Sequence, residues 1–301
     1  MSSPFPSATK TWHSKPHPAI SPSRPELSAK GKTIVVTGGG TGIGAATAHS
    51  FAEAGASRIA LLGRREQPLL DTKASIQQKF PGVDVFTAST DVTKKDSVEA
   101  AFSAFVGADG KIDVLVSNAA IMGPKEPVQE VDGEKFVEGV KDNLTGSLFV
   151  AQTFLRLAAP NAVVVDVSSG AAHMQFGNLF GSYSVAKIAI VRLWDFIAYG
   201  VPDLRVYHIQ PGVVNTDLNR AAGGVAALGY EDDAYLPGNF SVWLASPEAA
   251  FLKGKFLWAN WDVDELKARA KELETGSMFN VGLVGWPFAQ DFKPDDSKWE
   301  K

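Results

Sequence analysis

The apolar run Ile34-Val35-Val36 leads straight into Thr37-Gly-Gly-Gly-Thr-Gly-Ile-Gly44 and then into an alanine-rich stretch. Few architectures use the order strand, glycines, helix. β-Branched residues favour a buried strand, and glycines let the backbone turn sharply and lie close to a ligand. The helix that follows offers unpaired amides and the positive end of its dipole, which suits a pyrophosphate. No Lys-Ser/Thr pair follows the last glycine, so this is not a P-loop of the NTPase kind. Gly38, Thr41, Gly42, Ile43 and Gly44 are the candidate phosphate contacts.

From Lys32 onward, short β-branched runs alternate with longer amphipathic segments. That pattern predicts an α/β, doubly wound parallel sheet of the Rossmann type, with about seven strands and helices on both faces. Strands are expected at 33–36, 59–62, 83–87, 114–117, 163–167, 206–209 and near 256–259. Helices should begin near Ile43, Pro68, Lys94, Gly133, Tyr183 and Ser241. One domain is expected over residues 31–301. Gly223, Gly224, Gly229, Pro237 and Gly238 interrupt the alternation, so residues 213–240 are expected to form a lid beside the ligand. Val263 to Glu274 reads as helix, and Met278 to Phe288, within a tail of 275–301, as an apolar segment needing burial.

A chain of 301 residues with 45% hydrophobic side chains can bury a large core. Its formal net charge of -4 argues against a nucleic-acid partner or a polybasic membrane patch. The absence of cysteine excludes disulfides, thiolate catalysis and Cys-based metal sites, and no metal is expected. Pro4, Pro6, Pro16, Pro18, Pro22 and Pro25 stand among serines in residues 1–30, which predicts a mobile arm rather than a signal peptide. No apolar run reaches the length of a membrane span, so a cytoplasmic setting is expected.

The second expected strand ends in Leu61-Leu62-Gly63-Arg64-Arg65, where an acidic residue would hold the ribose hydroxyls of NAD. Arg64 instead offers a guanidinium fork suited to a 2′-phosphate, which favours NADP(H) over NAD. The alternative is that Arg64 and Arg65 merely solvate the next helix. Asp91 has two open readings, acceptor for an adenine amino group or cap of the following helix, with Val92 packing beside the ring. Further on, Tyr183 and Lys187 fall four residues apart, on one face if the segment is helical. A phenol holds its proton tightly in water, and a neighbouring ammonium favours its release. Ser169, a short loop upstream, supplies a second hydroxyl.

These residues resemble the short-chain dehydrogenase/reductase family from Lys32 to about Trp261. Thr37 to Gly44 is similar to its Thr-Gly-xxx-Gly-x-Gly loop, Asn118-Ala119-Ala120 to its Asn-Ala-Gly element, and Tyr183 to Lys187 to its Tyr-xxx-Lys. Asn143 is similar to its helix asparagine, and Pro211 and Gly212, with Val214 and Thr216, to its cofactor-closing turn. The resemblance implies that Tyr183 donates the proton, Ser169 orients the carbonyl, Lys187 binds the nicotinamide ribose and Asn143 holds a proton-relay water. It also implies a homodimer or homotetramer. Two features depart from the family: Ala120 replaces a glycine, and one extra residue separates Ser169 from Tyr183, which leaves Ser168 as an alternative serine. Asn118 has two readings, a tie within the sheet or a cofactor contact. Thr216 has two as well, a cofactor contact or a helix cap.

His173, Met174, Phe176, Leu179, Phe180, Tyr230, Tyr235 and Trp243 are candidates for an apolar substrate wall, although any of them also suits a core. The proline-rich arm and the long aromatic tail resemble fungal secondary-metabolism members of the family. The expected activity is an NADPH-dependent carbonyl reductase, reversible as an alcohol dehydrogenase, on an apolar or aromatic, polyketide-like ketone. The alternative is a cofactor-bound cyclase, dehydratase or NADP-sensing regulator on the same fold.

Overall fold

The computed structural model describes residues 4–108, 110–175, 178–227 and 229–283. Seven parallel strands form one sheet in the order β3-β2-β1-β4-β5-β6-β7. They are β1 (Thr33–Thr37), β2 (Arg58–Gly63), β3 (Asp84–Ser89), β4 (Ile112–Ser117), β5 (Ala158–Val167), β6 (Arg205–Gln210) and β7 (Phe256–Trp258). The helices are α1 (Gly42–Glu53), α2 (Glu66–Lys79), α3 (Lys95–Val106), α4 (Gly133–Leu157), α5 (Gly181–Gly200), α6 (Asp217–Ala221), α7 (Tyr235–Ala245), α8 (Val263–Ala268) and α9 (Ala270–Thr275).

Strand side chains alternate between faces, so each β-branched run feeds two cores. Ile34, Val36, Val163 and Val165 join Phe51, Phe240 and Trp243 beneath α1 and α7. Val35, Val164 and Val206 join Phe102, Phe154 and Trp194 beneath α3, α4 and α5. The strand order reverses between β1 and β4, which opens a crevice at the strand C-termini.

One polar cluster sits inside this apolar frame. His208 on β6 is 1% exposed, with Nδ1 at 2.9 Å from Asp166 of β5 and Nε2 at 3.2 Å from Asp195 of α5. Burial disfavours the imidazolium, but the hydrogen bonds and charges of both aspartates outweigh it and raise the pKa from 6.5 to about 9. Three elements behind the crevice are thereby tied by one buried cation.

Two expectations change. The proline-rich arm is packed rather than mobile: Trp12, Ile20 and Leu27 are buried, and short 3₁₀ turns at Pro18–Ile20 and Pro25–Leu27 use the prolines to hold it against the body. Composition suggested freedom, whereas three well-spaced apolar side chains supply the burial that fixes the segment. The presumed lid is also shorter than 213–240, because α7 starts at Tyr235 rather than near Ser241. Pro237 lies in its first turn, where a missing N–H costs nothing. Gly238 lets α7 approach α1, for a Cβ there would stand 2.7 Å from Ser50 Oγ. The tail enters the fold as far as Val281, which lies against the core, and Phe279 packs on Trp261 at 4.8 Å and accepts a hydrogen bond from Phe256 N at its carbonyl oxygen. Residues 284–288 of the expected apolar tail lie outside the described residues.

Because its pKa is raised on folding, His208 contributes stability that is complete below pH 6.5 and lost as pH climbs through about 9. Urea midpoints should therefore fall as pH rises across that window. The His208→Gln variant should lose this slope.

Candidate active site

A cleft of about 1300 Å³ opens at the strand C-termini, bordered by Gly63, Val167 and Gln210. At one end lies the turn between β1 and α1. Thr41, the N-cap of α1, makes no side-chain capping bond, so the first-turn amides have no side-chain cap. Gly38, Thr41, Gly42 and Ile43 line the cleft. Gly44 does not: a Cβ there would lie 2.2 Å from the Gly38 carbonyl oxygen, so this glycine serves close packing of the turn on its helix.

Asn118 ties β4 to β1. Its Nδ2 donates to the Thr37 carbonyl at 2.9 Å, and Thr37 Oγ1 accepts from the backbone N–H groups of Asn118 and Ala119. The side chain thus does structural work while Asn118 and Ala119 border the cleft. Arg64 and Arg65 follow β2 at the same end. Among the described residues Arg64 has no side-chain hydrogen bond or ion pair, whereas Arg65 is held by Asp217 of α6 at 2.7 Å. Asp91 Oδ1 accepts from Thr93 N and Thr93 Oγ1, which holds its carboxyl below the usual range. It therefore closes the turn before α3, whose N-cap is Lys94, and still lines the cleft with Val92.

At the other end stands α5. Tyr183 and Lys187 project from successive turns of one face, both buried at 8% and 4% exposure, with Lys187 Nζ 5.6 Å from the centre of the phenol ring. Lys187 Nζ donates to the Val167 carbonyl oxygen at 2.8 Å. An ammonium has three donors, so two remain. Ser169 Oγ accepts from Ala171 N at 3.2 Å, which leaves its own hydrogen to donate. Ser168 also borders the cleft, and its Oγ is buried without a partner among the described residues. Phe180, immediately before α5, stands in the left-handed region with φ 63°. Asn143, in the middle of α4, borders the cleft but spends its amide on backbone, exchanging hydrogen bonds with Ile121 N and O and donating to Gly139 O.

Pro211, Gly212, Val214 and Thr216 form the wall after β6. Thr216 Oγ1 caps α6 by accepting from Asn219 N. This turn rests on a residue the sequence did not reveal. Asp232 is buried and accepts from Val213 N at 2.7 Å, and burial raises its pKa. The run Glu231-Asp232-Asp233 gives no sign of which member turns inward.

The expected aromatic wall is only partly assembled. Leu179 and Phe180 line the cleft, joined by Met122 and by Phe5 of the arm, both missed in the sequence. Trp243 is core, Tyr235 packs edge-on to His49, and Met174 lies against the central core. His173 Nε2 is occupied by the Trp258 indole N–H at 3.2 Å, and partial burial lowers its pKa, so it stays neutral and is not poised to polarise a substrate. Tyr230 packs edge-on to Phe5, and Phe176 lies outside the described residues.

The donor set fits a dinucleotide: uncapped amides at α1, an unpaired guanidinium at one end, and a buried Tyr–Lys pair at the other. Such a cleft defines the class of nicotinamide-dependent oxidoreductases built on a doubly wound sheet. Within that class the chain belongs to the short-chain dehydrogenase/reductase family, whose description "short chain dehydrogenase" matches residues 32–224. It is 34% identical over 285 residues to a short chain dehydrogenase/reductase of Claviceps purpurea (strain 20.1), covering 93% of this chain and 95% of that protein. It is 33% identical to the short chain dehydrogenase/reductase AacuD of Aspergillus aculeatus, covering 92% and 96%. Among solved structures, 7α-hydroxysteroid dehydrogenase complexed with NADH and 7-oxo glycochenodeoxycholic acid superposes with a TM-score of 0.70 at 25% identity, covering 78% of this chain and 95% of that one. NAD+-bound xylitol dehydrogenase gives 0.69 at 28%, covering 76% and 98%. The protein is an oxidoreductase of this family, acting on alcohol or ketone groups with a nicotinamide cofactor.

Replacing Gly44 with Ala should lower the melting temperature and abolish binding of the nicotinamide cofactor together, because the added Cβ would push against the Gly38 carbonyl. Thermal melting and cofactor fluorescence report the two effects.

Proposed function

We propose that the protein is an NADP(H)-dependent carbonyl reductase, reversible as an alcohol dehydrogenase, with an apolar or aromatic, polyketide-like ketone as substrate. The observation that carries this reading is the Tyr183–Lys187 pair, buried on one face of α5 in the same cleft as the glycine turn and Arg64. A regulator or sensor has no need of such a pair.

NADPH supplies a hydride when bound. Gly38, Thr41, Gly42 and Ile43 would hold its pyrophosphate on the amides of α1. Arg64, unpaired where NAD enzymes carry an acid, would take the 2′-phosphate. Asp91, with Oδ2 left free by Thr93, would accept from the adenine amino group, and Val92 would pack beside the ring. Asn118, Ala119, Pro211, Gly212, Val214 and Thr216 would border the nicotinamide half. Tyr183 donates the proton to the carbonyl oxygen as negative charge develops there, and Ser169 Oγ donates a second hydrogen bond to the same atom. Lys187, anchored on Val167, would use its remaining donors on the ribose and keeps a positive charge beside the phenol. Asn143 acts through the backbone, holding Ile121 and with it the wall beside the nicotinamide.

Leu179, Phe180, Met122 and Phe5 make the substrate end apolar, which suits a multi-ring ketone better than a sugar. The 7-oxo steroid in the complex of 7α-hydroxysteroid dehydrogenase is a ketone of that shape. Val137 of α4 with Val185 and Phe196 of α5 are exposed on adjacent helices, and a second copy covering that face would give the homodimer or homotetramer usual in the family. No helix among the described residues is long and apolar enough to cross a membrane.

Tyr183→Phe should lower ketone-dependent NADPH oxidation by about 100-fold or more while NADPH affinity stays near wild type. Unchanged turnover would refute the phenol as proton donor. Arg64→Ala should weaken NADPH by about tenfold and leave NADH nearly unaffected. Equal losses for the two cofactors would place the phosphate elsewhere.

A further inference from the structure

We infer that the N-terminal segment, residues 4–14, completes the substrate site in cis, with Phe5 as a specificity-determining wall that selects multi-ring ketones. The inference rests on the reductase reading for its chemistry, but on the packing of the arm for its geometry.

Phe5 borders the same cleft as Tyr183, Leu179 and Phe180, although it lies far from them in sequence. Its orientation is set by other aromatic rings. It meets Trp258 at 5.3 Å and Tyr230 at 5.7 Å, both edge-on, and Trp12 at 6.4 Å. Edge-to-face packing of this kind favours one ring orientation over others. A ring so held offers a firm apolar surface to whatever fills the cleft, at little entropic cost on binding.

The arm is fastened along its length. Lys10 N and Thr11 N donate to the two carboxylate oxygens of Glu265 at 2.7 and 2.8 Å. Trp12 is buried and bridges Trp261. His13 N donates to the Asn260 carbonyl, and Asn260 Nδ2 donates back to the His13 carbonyl. Asn260 Nδ2 also reaches Asp232, the acid that holds Val213 in the wall after β6. The arm is therefore joined by hydrogen bonds to the turn that closes over the cofactor. His13, His17 and Asp262 bring ligand atoms within 4.8 Å of one another. The two imidazoles, however, are stacked 3.7 Å apart and 9° from parallel, so one metal ion cannot lie in both ring planes. His13 instead pairs with Asp262 at 2.9 Å, a further fastening.

A wall at Phe5 requires that a small ketone reach Tyr183 and Ser169 without touching it and that a multi-ring ketone extend onto it. Selectivity between the two is therefore the readout. Binding of 9-fluorenone and of cyclohexanone to the NADP+-loaded protein is measured by calorimetry, and NADPH oxidation with each ketone is measured separately. Phe5→Ala should weaken fluorenone binding by about tenfold or more, with cyclohexanone, NADP+ affinity and melting temperature near wild type. Phe5→Leu should recover most of the loss. Equal fluorenone affinity in wild type and Phe5→Ala, or no fluorenone binding in wild type, overturns the wall. A wild-type protein that shows the Phe5-dependent binding but oxidises no NADPH supports the wall and overturns the reductase reading instead.

Discussion

The hydrogen bond from Lys187 Nζ to the Val167 carbonyl joins α5 to the sheet and sets the position of the other groups in the candidate site. A buried ammonium costs several kcal/mol unless its donors are satisfied. Val167 is the last residue of β5, so the bond fixes α5 against the strand end from which Ser168 and Ser169 emerge. Tyr183 lies one turn earlier on the same face and needs no further device to stand beside the cation. Serine, phenol and amine are thus brought to one end of the cleft by a single strand-to-helix contact.

The surrounding frame keeps that contact in register. His208, with a carboxylate at each ring nitrogen, ties β5, β6 and α5 from behind. Thr37 and Asn118 clasp β1 to β4 at the crevice, and Asp232 holds the turn after β6. Each device satisfies a polar group that would otherwise be costly to bury. All of them lie at strand ends, where the doubly wound sheet offers its crevice.

Fold and chemistry were legible to different depths. The strand runs around Val35, Val116 and Val165 predict their own positions because parallel strands covered on both faces are continuously apolar. Glycine spacing and the four-residue step from Tyr183 to Lys187 are local patterns, and local patterns survive in sequence. What remained hidden depends on long-range contact. Nothing around Phe5 or Asp232 indicates burial, since the groups that recruit them, Trp258, Tyr230 and Asn260, are distant in the chain. Pro237 and Gly238 read as helix breakers because their use at a helix start and at a close crossing with α1 is visible only in the packed structure. The prolines of the arm misled similarly: restricted backbone suggested a floppy leader, whereas Trp12, Ile20 and Leu27 bury it.

The proposed chemistry depends on the amine beside the phenol. Its most direct test is single-turnover hydride transfer at saturating reduced cofactor in Lys187→Met, which keeps an unbranched side chain one atom shorter and removes the charge. The predicted result is a rate lower by about 100-fold or more with the protein still folded and cofactor-bound. A rate within about twofold of wild type would contradict a part for the Lys187 charge in the proposed step.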